Sequence, residues 1–154
     1  MDSNRFQKDI VCQVLADPKS LELIQAVRKK FLPDFIPLDS NYCGLPHDPY
    51  HDFGSEHAML EWYSMEPNVR QTFYWNGEVK TRDNIMVGAN ITSDNQLVFS
   101  LTVDGTEETE ARINLELKSF LNSKVGVVTY IDPADYDDGE DFARRYGHIR
   151  YPYE

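Results

Sequence analysis

The chain has 154 residues, 41% of them hydrophobic and 12% aromatic, enough apolar mass for one packed core and too much for a disordered chain. Twenty-six acids against 15 Lys and Arg give a net charge of −11, which excludes direct binding to nucleic-acid phosphate, since that grip is made by Lys and Arg displacing counterions. No run approaches the length of an apolar membrane span, and MDSNRFQKDI lacks the basic-then-apolar order of a secretory leader, so a cytoplasmic protein without membrane contact is expected.

In chain order, Ser3 is positioned to cap a first helix carrying Phe6, Ile10, Val11, Val14 and Leu15 and ending near Ala16. Asp17-Pro18 then reads as an N-cap with proline at the first helical position. It opens a second helix with Leu21, Leu23, Ile24, Val27 and Phe31 turned inward. Arg28, Lys29 and Lys30 complement the dipole at its end, and Pro33 stops it.

Residues 34–56 show no period of 2 or 3.6 and hold Pro37, Gly44, Pro46, Pro49 and Gly54, the composition of a long irregular loop. HAMLEWYSMEP and NVRQTFYWNGEV follow and are expected to pair as strands across Glu66-Pro67-Asn68. Ile85, Val87, Ala89 and Ile91, then Leu97, Phe99, Leu101 and Val103, alternate with the residues between them on either side of SDNQ, which predicts an antiparallel hairpin. TEETEARINLELKSFLNSK reads as a helix with Ile113, Leu117, Phe120 and Leu121 on one stripe, and VGVVTYID as a buried strand. The expected fold is α+β in a single domain over 1–154: two N-terminal helices, an antiparallel sheet of about five strands covered mainly on one face, one long helix packed on it, and an acidic segment over 132–154.

Charge is unevenly placed. Between Phe31 and Val69 there is no Lys or Arg, yet Asp34, Asp39, Asp48, Asp52, Glu56, Glu61 and Glu66 fall there. A second base-free block, Val125 to Ala143, holds Asp132, Asp135, Asp137, Asp138, Glu140 and Asp141. If the two blocks meet in the fold they make one negative surface suited to a basic protein, with Tyr151 and Tyr153 beside the second block as anchors.

Two other chemistries compete for these residues. Cys43, His47, His51 and His57 offer four ligands of the two types that suit zinc, which would make the chain a zinc enzyme or zinc-stabilised module. Against this, Pro46 and Pro49 break helical spacing, and no tight Cys-x2-Cys pair is present, so a proline-braced loop with local His and Asp hydrogen bonds is the preferred account. Cys43 beside these histidines is also a candidate thiol nucleophile. In the second block, setting Gly139 at the glycine of a calcium loop puts Ala134 and Arg145 at ligand positions, so that pattern fails. An acidic start to a short helix through EDFARRYGH fits better. Two cysteines in unlike contexts read as reduced thiols.

A small, acidic, single-domain α+β chain without a catalytic motif resembles, in size, acidity and helix–sheet mix, the bacterial immunity proteins that neutralise toxins delivered between competing cells, as in contact-dependent inhibition systems. The resemblance carries over no individual residue. It implies a non-enzymatic protein without a cofactor, whose acidic face covers the basic cleft of a nuclease toxin. An acidic structural adaptor is the remaining alternative.

Overall fold

Two interleaved apolar sets decide the first element. Ile10, Cys12, Val14 and Ala16 are all buried, and so are Val11, Gln13 and Leu15 between them, so the segment is buried on both sides as a strand. The computed structural model describes residues 8–78 and 84–149, and in it this segment is β1 (Lys8–Ala16). After it come α1 (Leu21–Phe31), α2 (Glu56–Met65), β2 (Gln71–Asn76), β3 (Met86–Ile91), β4 (Leu97–Gly105), α3 (Glu107–Leu121), β5 (Gly126–Tyr130) and α4 (Gly139–Tyr146). The described part is therefore mixed α and β, with a five-stranded, fully antiparallel sheet in the order β2-β3-β4-β1-β5.

Three expectations are corrected. The first N-terminal helix is absent over the described residues: Ile10 to Ala16 form an inner strand between β4 and β5, while Ser3 and Phe6 lie outside the described residues. A strand apolar on both faces has no polar side to reveal its period of 2, so it imitates a helix. The second helix begins at Leu21 rather than Pro18, because Ser20 supplies the cap by accepting from Leu23 N at 3.1 Å. HAMLEWYSMEP is helical through Met65: Ser55 caps it by accepting from Ala58 N at 3.0 Å, and Met59, Leu60 and Tyr63 bury one face. Its aromatic content suggested a strand, but the cap and the i, i+4 burial of Met59 and Tyr63 prevail.

Cross-strand register sorts the sheet into two faces. Cys12, Leu101 and Val87 share one row and Val14, Phe99, Ala89 and Phe73 the next. This face carries the larger core, closed by Ile24 and Val27 of α1, Leu60 and Tyr63 of α2, and Ile113 and Leu117 of α3. The opposite face carries Gln13, Ser100, Gly88 and Tyr74 in one row and Leu15, Val98 and Asn90 in another. The chain after β5 crosses it, and Phe142 of α4 is fully buried against Leu15, Val98 and Val127. Burying such a side chain contributes about 1.5–3 kcal/mol. The expectation of a sheet covered mainly on one face is thus also revised, since 131–149 covers part of the second.

No helix among the described residues is long and apolar enough to cross a membrane. Because β1 bonds on both edges, its central amides open only with the whole sheet. In native-state hydrogen exchange, Cys12 to Val14 should rank among the most protected amides, at or near the global unfolding free energy. Exchange there as fast as at a fraying terminus would contradict an inner strand.

Candidate functional site

The loop between α1 and α2 has no regular structure, yet it is pinned at many points. Its carboxylate hub is Glu56, the first residue of α2. One oxygen takes a hydrogen bond from Arg28 Nη1 of α1 at 2.6 Å. The other takes Leu38 N at 2.6 Å and Trp75 Nε1 of β2 at 2.9 Å. The Arg28 guanidinium in turn lies over the rings of Phe35, at 3.8 Å, and Trp75, at 5.1 Å. Further along, Leu45 and Asp48 exchange backbone hydrogen bonds, and Tyr63 OH donates to Gly44 O at 2.8 Å. Gly44 has φ +61°, and a Cβ there would lie 2.4 Å from Pro49 O, so the tight turn needs glycine. Ser40 and Gly54 N both donate to Asp52, and these bonds hold its carboxyl below the usual carboxylate range.

On this braced loop Tyr50 is 91% exposed and Tyr42 44%, with Asp39, Asp48 and Asp52 exposed around them. Sequence reasoning missed both tyrosines, although Tyr50 follows Pro49 in a stretch without apolar period. Glu56 is removed from the partner-binding set, since its side chain is only 13% exposed and holds the loop to α1 and β2.

The four residues considered for zinc do not assemble. Cys43 interacts with Tyr63 and Gln71, His51 lies near Asp48 and packs on Phe53, and His57 lies near Gln25 and Glu61. His47 is exposed. Among the described residues no group of three or more His, Cys, Asp or Glu is placed to hold an ion. Burial pushes the Cys43 thiol up, which runs against an activated nucleophile, and burial takes Cys12 up to about 12. Both thiols are free.

The 34–55 loop packs on the helix-covered face and the second acidic block on the face covered by α4, while Asn68, just past Glu66 of the first block, and the start of α4 at Gly139 and Glu140 both bond the turn at 93–95, so the two blocks approach one another at that end of the sheet. Asp138 is the N-cap of α4, accepting from Asp141 N at 2.8 Å. Asp141 is buried, and the Asp137 N–H holds its carboxyl below the usual range against the cost of burial, helped by Arg145 and Arg144. It too leaves the partner-binding set, because its charge is spent inside the molecule. Asp132, Asp135, Asp137 and Glu140 are exposed; Tyr151 and Tyr153 lie outside the described residues. The start of α4 is also held by Asp94, which accepts from Gly139 N and Glu140 N at 2.9 Å each. Partial burial would raise the Asp94 pKa, but these bonds and the one from Thr92 Oγ1 outweigh it and leave it lowered.

Compared with family models, curated proteins and solved structures, the chain matches none.

Glu56→Ala should destabilise the fold by about 3–5 kcal/mol in urea unfolding, because it leaves a buried guanidinium and two N–H donors without their acceptor. A loss below 1 kcal/mol would show that the hub is dispensable. The lowered carboxyls of Asp94 and Asp141 contribute stability that is complete above the ordinary aspartate pKa of about 3.9 and is lost as pH falls through their folded values. The melting temperature should therefore drop below about pH 4. Asp94→Asn should lower it at neutral pH and make that acid decline shallower.

Proposed function

We propose that this chain is a non-catalytic binding protein that neutralises a cationic protein, a toxin domain acting on nucleic acid, and that the 34–55 loop is the element that meets it. One observation carries the reading: an ordered loop without a single Lys or Arg presents two exposed tyrosines among exposed aspartates. Tyrosine anchors interfaces because it offers a large contact area with few rotatable bonds and a polar tip. Carboxylates nearby raise the encounter rate with a positive surface and repel anionic competitors. A loop held by Glu56, Asp52 and Gly44 before the partner arrives loses little entropy on binding. Asp132, Asp135, Asp137 and Glu140, on the other side of the sheet, add to the long-range field rather than to this contact. The resemblance in size and acidity to bacterial immunity proteins supports the same reading, with the loop entering the basic substrate cleft of a nuclease.

The test is binding and growth rescue against a cationic toxin domain encoded next to this gene. Tyr50→Ala should weaken the complex by about 2 kcal/mol, roughly 30-fold, and Asp48→Lys should slow association and flatten its salt dependence. Both variants should keep their stability within about 0.5 kcal/mol of the parent, since these side chains are exposed. An association rate indifferent to salt, together with full binding by Tyr50→Ala, would refute the proposal.

A further inference from the structure

The second face of the sheet contains a cavity of about 290 Å³ that the loop-based reading does not use. Its floor is the cross-strand row Gln13, Ser100, Gly88 and Tyr74. A Cβ at Gly88 would stand 2.2 Å from Ser100 Oγ and 2.8 Å from Tyr74 Cε1, so the missing side chain is what lets the tyrosine ring lie down on the floor. The segment from Ile131 to Tyr136 forms the roof. It is latched by Ala134 N donating to Gln13 Oε1 at 2.8 Å and by Asn90 Nδ2 bonding Tyr136 OH. Ile131, where the roof leaves the sheet, has φ +69°, a conformation that a β-branched side chain adopts only under constraint.

The polar groups on the floor are incompletely used. Gln13 is 4% exposed and Ser100 9%. A backbone N–H can only donate, so the Gln13 atom facing Ala134 is Oε1, and the amide nitrogen remains as a donor. Neither Gln13 Nε2 nor Ser100 Oγ has a hydrogen-bond partner among the described residues. Neither is sealed in the packed interior, and both residues line the cavity. Because Gln13 and Ser100 are direct cross-strand partners, two polar groups without a protein partner stand side by side on the cavity floor, open to the cavity and able to share one acceptor.

The lining also selects charge. Among the described residues the lining holds no Lys, Arg or His and one carboxylate, Asp135, and the charge of Arg70 reaches it from outside, at Tyr136, so an anionic group on the ligand would have no cation to pair with inside the cavity. Val11, Met86, Val98 and Pro133 supply apolar walls, and the volume sits at the lower end of the range for small-molecule sites, about 300–1,000 Å³. We propose that this cavity binds a small uncharged cyclic amide or imide, the chemistry of a free pyrimidine base, with a ring carbonyl accepting from Gln13 Nε2 and Ser100 Oγ. The site stands on the face opposite the helices that carry the 34–55 loop, and its assignment does not depend on the inhibitor reading.

Titration of the 15N-labelled protein with uracil tests the assignment. Saturable shifts are expected at the Gln13 side-chain amide and at the Ser100 and Ala134 backbone amides, at millimolar concentration or below. Orotate, the same ring with a carboxylate, should bind at least about tenfold more weakly. Ser100→Ala removes an unpartnered hydroxyl, so it should keep or raise the melting temperature while weakening uracil by roughly five- to tenfold. Absence of saturable shifts at these residues in the unaltered protein overturns the proposal, whatever the variant does. So does equal binding of orotate, or undiminished binding by a folded Ser100→Ala.

Discussion

The partly buried Glu56 carboxylate is the constraint from which the arrangement of this face follows. It is the first side chain of α2, yet its three donors come from α1, the intervening loop and β2. Donors from three separate elements converge on this one carboxylate, so it ties α1, α2 and the edge of the sheet to one another. The loop between the helices is then closed at both ends, and its polar backbone is satisfied by local bonds rather than by a regular ladder. That is how a long stretch without helix or strand presents a defined surface.

The sheet separates two environments. On one face, three helices and the loop bury an aliphatic and aromatic core with the Trp75, Phe73, Tyr63 and Phe53 rings in sequence. On the other, the rows alternate apolar and polar residues, and the covering segment is fastened at points by Gln13, Asn90 and Asp94 rather than by continuous packing. Polar latches hold a cover while leaving space beneath it, whereas an apolar cover would collapse onto the sheet. The acidic residues follow the same division, some facing solvent on each side and others, such as Asp141 and Glu56, serving as internal acceptors.

Several parts of this structure were readable residue by residue. The β3–β4 hairpin follows from strict alternation between Ile85 and Val103, and α3 from acids in its first turn with Ile113 and Leu117 one turn apart. The acidic start of α4 at Asp138 was legible for the same dipole reason. β1 was not, because Val11 and Leu15 on its second face are as apolar as Val14 on its first, and only the cover supplied by α4 explains why. α2 was misread because Trp62 and Tyr63 favour strands in general, while the deciding cap is one serine. Of the candidate site, the unneutralised loop with Asp48 and Asp52 was visible in the sequence. The exposure of Tyr42 and Tyr50 was not, since an aromatic side chain reads as core until its neighbours are known.

What the sequence alone determined is local: alternation, caps, turn residues, the total charge, and the two stretches in which no cation stands near an acid along the chain. What only the tertiary structure decided is which of those acids remain available. Coulomb interactions depend on distance in space, and the sheet put the 34–55 loop and the 131–149 segment on opposite faces. It also brought Arg28 to Glu56 across 28 positions of sequence, a partnership that no local pattern encodes.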